Sequence, residues 1–354
     1  MSIPTVGPAV AARVLPGGIP ILRRQLLDDL IFYKSGLDDD ATPGDPGLFG
    51  PGSATWQVMS HAARPIGGTR AALLQAMLAP VPAAVESTGG FANDLLGRIS
   101  RTARFVQQMN LGSIDEVYRG LRRVRAMHRG VQGTSPDGID FDATDVDLQA
   151  WVSMTFTDSL LVANQRFGAR RLGRSEADRF VWEQSLHGAL LDERVDIDAM
   201  FDDRARLAAV LSGEELLPSI ADRRLPTTVS ELRAGLASYT PQLSRTPLAA
   251  GLVDGTLEET RALPRWQQPL VGALVTVALS TLPDEWYEIA APNRARPNEQ
   301  WVALTTQALL TPLQAVFGRG RPVEVAYRRV RSGTAEPCAE ARRRGPSAGP
   351  LPTG

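Results

Sequence analysis

His128 stands inside a run of arginines, GLRRVRAMHRGVQG at 120–133. Ile114, Val117, Leu121, Val124, His128 and Val131 recur at intervals of three and four, the spacing of one face of an amphipathic helix. Arg119, Arg122, Arg123 and Arg129 fall mostly off that face and suit solvent. The imidazole therefore points where the apolar residues point. A buried imidazole needs a hydrogen-bond partner or a metal. Two chemistries stay open on spacing alone: a core histidine bonded to a carboxylate or carbonyl, and an iron or other metal ligand.

A second constellation lies upstream. Arg98-x-x-Arg101-Thr102 puts two guanidiniums and a hydroxyl on about one turn of a helix, beside an apolar stripe through Leu95, Phe105 and Met109. Guanidiniums next to a buried stripe are costly unless they meet anions. They suit either ordinary salt bridges or the carboxylates of a bound cofactor. Asp158 is the only charge between Asp147 and Arg166 and is expected to pair with a core arginine. Glu183 and His187 have chelating i, i+4 spacing, but a di-iron site wants Glu-x-x-His twice, and that pattern is absent. HExxH, a phosphate loop and GxSxG are absent too. A site built from His61, His128 and His187 together requires three distant histidines to converge.

These residues must be positioned by helices. The chain has 354 residues, 43% of them hydrophobic, enough for a substantial core. Its net charge of −1 gives no reason to expect nucleic acid or an anionic membrane as a partner. The single cysteine, Cys338, excludes a disulfide framework and multi-cysteine metal sites. No secretory signal stands at the start and no apolar run is long enough for a transmembrane segment, so the expectation is cytoplasmic. The longest apolar run, 270–282, reads as a buried core helix. Helical patterns fall at 21–35, 67–78, 93–111, 113–133, 147–167, 175–191, 193–212, 228–238, 266–282 and 298–317. Residues 36–55 and 135–145 read as loops, and no alternating strand pattern occurs. The expected class is all-α. The expected division is 1–45 as a lead-in with one helix, 46–330 as one large helical domain, and 331–354 as a disordered tail.

The segments GPGSATWQV (50–58), GGTRAALLQAMLAP (67–80), GRISRTARFV (97–106), VRAMHRGVQG (124–133) and DLQAWVSMTFTDSLLVANQRFG (147–168) resemble, in this order, the rubber-oxygenase family. That family includes latex-clearing proteins and the oxygenase of the mycophenolic acid pathway. The resemblance is strongest over 46–190. It implies an all-α fold with a pocket for non-covalent haem b between core helices, and an iron-binding oxidoreductase. It also implies His128 as the metal ligand, Arg98, Arg101 and Thr102 as catalytic groups, and Arg98 and Arg125 as cofactor-binding groups. The family's reaction is dioxygen addition across carbon–carbon double bonds.

Two positions depart from the family. Its cluster carries a lysine where this chain has Arg101, and a guanidinium has no lone pair to offer iron. Lys34, the only lysine, is far upstream. The face opposite His128 is therefore expected to lack a protein ligand. Many relatives also carry histidine in a Trp-Val-His motif, where this chain has Ser153. The implied partners are dioxygen and a small apolar substrate, such as a secondary metabolite, with an electron donor unidentified. Leu95, Phe105, Met109, Met127, Met154 and Phe156 are the expected apolar walls. The alternative is a non-catalytic haem or apolar-ligand binding or sensor protein on the same fold.

Overall fold

The other helices are arranged around Val146–Phe167, a helix of 22 residues. It starts where Asp145 accepts from the Leu148 amide at 2.7 Å, satisfying a first-turn donor. A computed structural model describes residues 36–38, 41–89, 95–263 and 265–343. The expected helix at 21–35, Lys34, residues 344–354 and the side chain of Leu95 lie outside the described residues.

In chain order the helices are α1 (Ala54–Met59), α2 (Arg64–Ala76), α3 (Pro80–Ser87), α4 (Leu95–Leu111) and α5 (Ile114–His128). After a hairpin of β1 (Gln132–Thr134) and β2 (Asp140–Asp142) come α6 (Val146–Phe167), α7 (Arg174–Ala189), α8 (Ile197–Asp202) and α9 (Arg204–Ser212). Then follow α10 (Pro218–Ala221), α11 (Val229–Ser238), α12 (Pro247–Asp254) and α13 (Glu258–Ala262). The last are α14 (Gln268–Ser280), α15 (Asp284–Ala290), α16 (Glu299–Phe317) and α17 (Arg321–Arg343). The protein is all-α, with one two-stranded hairpin among the described residues. Among the described residues no helix is long and apolar enough to cross a membrane.

Helix α6 packs against α2, α7, α11 and α16. Its closest neighbour is α2, and the contact depends on Gly67. A Cβ there would lie 3.1 Å from Leu160 Cα and 3.1 Å from the Ser159 carbonyl oxygen, both backbone atoms of α6. Gly68 has nothing within 4 Å of the same position. Two adjacent substitutions should therefore act in opposite directions. Gly68→Ala is expected to raise stability by up to about 1 kcal/mol through helix propensity. Gly67→Val is expected to lower it by about 1–3 kcal/mol through overpacking. Thermal melts of the two variants check the pair.

Asp158 behaves as its sequence context suggests. It pairs with buried Arg70 at 2.6 Å, and Arg70 also donates to Ser159 Oγ (2.9 Å) and Thr281 Oγ1 (3.1 Å). Three expectations are corrected. The helix expected over 193–212 is two helices, because Asp203 is extended and its carboxylate accepts from the Ala205 and Arg206 amides, starting a new helix there. The helix expected over 113–133 ends at His128, and residues beyond Gly130 turn into β1, which pairs with β2 antiparallel from Gln132↔Asp142 to Thr134↔Asp140. The expected disordered tail from 331 is helical through Arg343, in line with its alanine, glutamate and arginine content.

Candidate functional site

Helices α4 and α5 are joined by Gly112 and Ser113 alone, so they run antiparallel side by side. Ser113 and Glu116 form a capping box that fixes where α5 starts. Gly120 of α5 faces α4, where its Cβ would lie 3.2 Å from Gln108 Oε1 and 3.7 Å from Phe105 Cδ2. Following α5 forward to His128, and α4 back by the same rise, ends beside Gly97 and Arg98. The Arg98–Thr102 turn and His128 thus share one end of the helix pair. Helix α3 and the β-hairpin pack on each other at this end.

Arg98 donates to the Val85 carbonyl at 3.2 Å and to the Thr88 hydroxyl. It thereby places a cation on the negative end of α3. Arg101 and Thr102 are exposed on α4. His128 is half-buried in the last turn of α5, and its Nδ1 is buried with no hydrogen-bond partner among the described residues. Burial pushes the imidazole below its ordinary value, with the nearby Glu193 carboxylate pulling the other way. At neutral pH the ring is therefore uncharged.

Arg125, four residues after Leu121 and three before His128, is 5% exposed. It donates to the Val195 carbonyl at 2.9 Å and to Glu193 at 3.4 Å, while its Nε has no partner. Arg129 binds the same Glu193 oxygen at 2.6 Å. Burial opposes ionisation of Glu193, but its bonds to Arg129 and Arg125 overcome this and hold its carboxyl below the usual range. Glu193 carries no sequence signal of its own, because it lies between helices where no periodicity applies.

The remaining histidines lie elsewhere. His61 sits between the Ala63 and Ala169 amides, 3.0 and 2.9 Å from its two nitrogens. His187 hydrogen-bonds the Met109 backbone, at the far end of α4 from Arg98. Its Nε2 is buried without a partner, and its ring is tilted against Phe49 at 5.2 Å. Glu183 accepts from the Thr55 amide (2.7 Å) and Arg179 (2.8 Å), so it anchors α1 and is not available to chelate with His187. Among the described residues no three His, Cys, Asp or Glu side chains are grouped to hold a metal, so the three histidines do not converge.

The expected walls separate. Met109 and Met154 are buried in the main core, Met127 is 57% exposed, and Phe105 packs against that core from the α4 side. Ser153 lies against α7, where a Cβ on Gly188 would be 2.5 Å from its hydroxyl.

A family model described as "ER-bound oxygenase mpaB/B'/Rubber oxygenase, catalytic domain" matches residues 56–314. No curated protein and no solved structure matches the chain.

Proposed function

Because the chain belongs to the mpaB and rubber-oxygenase catalytic-domain family, we propose that it is a haem b-dependent oxygenase with His128 as the iron ligand. The observation that carries this reading is the half-buried His128 ring, its pKa lowered by burial, with a buried nitrogen that has no hydrogen-bond partner among the described residues. A neutral imidazole is the form that ligates iron, so the residue fits the group. When bound, haem b supplies an iron centre at which dioxygen is activated.

The chain's own part is to bind and orient. Arg98 and Arg101 bring two cations to the His128 end of α4 and α5, suited to the cofactor's carboxylates. Arg101 has no lone pair to offer iron, so its guanidinium and the Thr102 hydroxyl would serve only as hydrogen-bond donors to the cofactor or substrate. Arg125 ties α5 to Val195 and Glu193, so its proposed contribution to the cofactor is through positive charge near His128. The substrate class is small, apolar and unsaturated, as the family's reaction implies.

The absorption spectrum of the purified protein tests the reading. A Soret band is expected for the wild type, as isolated or after added haemin, with its loss in His128→Ala and retention in His187→Ala. His187 is the one other histidine with an enclosed, partnerless nitrogen. If it ligates the iron, the two variants exchange behaviour. A wild type that gains no Soret band with haemin overturns the proposal. Oxygen uptake with an apolar alkene then separates the oxygenase from a non-catalytic binder.

A further inference from the structure

The connection between α7 and α8 carries three acids, Asp192, Glu193 and Asp196. Two of them serve the connection itself. Asp192 accepts from Arg194 Nη2 at 2.7 Å and from the Ser219 hydroxyl. Asp196 accepts from the Ala199 amide at 3.0 Å and starts α8. Glu193 instead crosses to α5. Its Oε2 accepts from Arg129 Nη2 at 2.6 Å, from Arg129 Nε at 3.1 Å and from Arg125 Nη2 at 3.4 Å. Its Oε1 accepts no hydrogen bond among the described residues.

Arg125 lies three residues before His128 and Arg129 one after it. Glu193 therefore grips the last turn of α5 on both sides of the imidazole, and its charge acts on the ring. The ring has a buried nitrogen, Nδ1, with no partner among the described residues. An acceptor without a donor thus stands close to an imidazole without an acceptor. A histidine bound to a metal gives one nitrogen to it and donates the N–H of the other to a carboxylate, a carbonyl or water. That second bond fixes how the ring is turned and strengthens its donation to the metal.

Resting on the reading of His128 as iron ligand, we propose that Glu193 is the positioning residue for that ring. Oε1 receives the N–H of the nitrogen that does not hold iron, directly or through one water, while Oε2 stays with the two arginines. The arrangement fixes the sign of an electrostatic effect. Negative charge beside the ligand favours ferric over ferrous iron, and positive charge does the reverse. Glu193 and Arg129, the two halves of one ion pair, therefore act on the iron in opposite directions. Mechanical support of α5 alone gives no such opposition, because either loss breaks the same bond.

Haemin titration of the full chain, followed at the Soret band, and redox titration of the loaded protein test this. Glu193→Gln keeps an acceptor for the arginines and removes the charge. It is expected to raise the midpoint potential by about 59 mV, a tenfold shift from ferric towards ferrous. Arg129→Gln, at an exposed residue, should lower the potential. Glu193→Ala should weaken haemin binding by about 10–100-fold, with the far-ultraviolet circular dichroism of the wild type. If Glu193→Ala does not fold, the potentials of the two glutamine variants decide. A wild type that binds no haemin overturns this proposal together with the iron reading. A wild type that binds haemin, with both glutamine variants moving the potential the same way or not at all, overturns this proposal alone.

Discussion

Glu116→Ala is expected to cost about 3–5 kcal/mol of folding stability, because it leaves an arginine charge buried without its counter-ion. Glu116 and Arg329 are each 2% exposed at the side chain and meet at 3.3 Å. The carboxylate also accepts from the Ser113 amide (2.8 Å), the Ser113 hydroxyl (3.1 Å) and the Asp38 amide (2.7 Å). Arg329 also donates to the Asp45 carbonyl (2.8 Å) and the Leu111 carbonyl (2.7 Å). One ion pair thus fastens the segment before α1, the α4–α5 turn and the last helix. Ser113→Ala removes only the cap hydroxyl and is expected to cost about 1 kcal/mol. Glu116→Gln keeps an acceptor for the amides and should fall between the two. Urea midpoints of the three variants check the order. A Glu116→Ala loss no larger than that of Ser113→Ala contradicts the buried-charge argument.

That pair also marks what a sequence can and cannot disclose. The capping box at Ser113 and Glu116 is local, so spacing reveals it, and the helix does start there. The link from Glu116 to Arg329 spans most of the chain, and no periodicity encodes it. Helices α4, α6, α7, α11 and α16 are legible because their apolar stripes are long. Short pieces such as α1, α3, α8, α10 and α15 are too brief to show a period, and α8 separates from α9 only through the Asp203 carboxylate. The loop before α1 is legible from its glycines, but not its docking. Gly47, at φ 69°, comes so close to the Gly112 carbonyl that a Cβ would sit 2.1 Å from that oxygen. At the site, the inward face of His128 is readable. The partners of Arg125 are not, since the Val195 carbonyl and Glu193 come from a distant loop. His187 looks chelating from its spacing to Glu183. The fold gives Glu183 to α1 and the imidazole to the Met109 backbone.

Acid should destabilise this protein well above the range where carboxylates titrate. Burial, then the charge of Arg64, lowers His61 to about 4, and burial lowers His187 to about 3 against the raising effect of its Met109 bond. In the unfolded chain both imidazoles regain an ordinary value near ~6.5. Above that pH both states are neutral at these positions and no stability is lost. As pH falls through 6.5 the unfolded chain takes up protons that the folded one refuses, so unfolding becomes easier until the folded values are reached. Each group contributes a slope of about 1.4 kcal/mol per pH unit inside that window. His128, lowered by burial, acts in the same direction. The carboxylates held below their usual range, Asp192, Glu193 and Glu231, stay ionised in both states until about pH 4.5 and add their loss only below it. Between pH 6.5 and 4.5 the two deeply shifted histidines can therefore remove about 5 kcal/mol, comparable with the whole stability of a modest domain. Urea unfolding from pH 7.5 to 4.5 is expected to show a flat region followed by a steep fall. His187→Leu should roughly halve the slope. A stability that stays level down to pH 5 would mean that these two rings are protonated in the folded protein, against their burial.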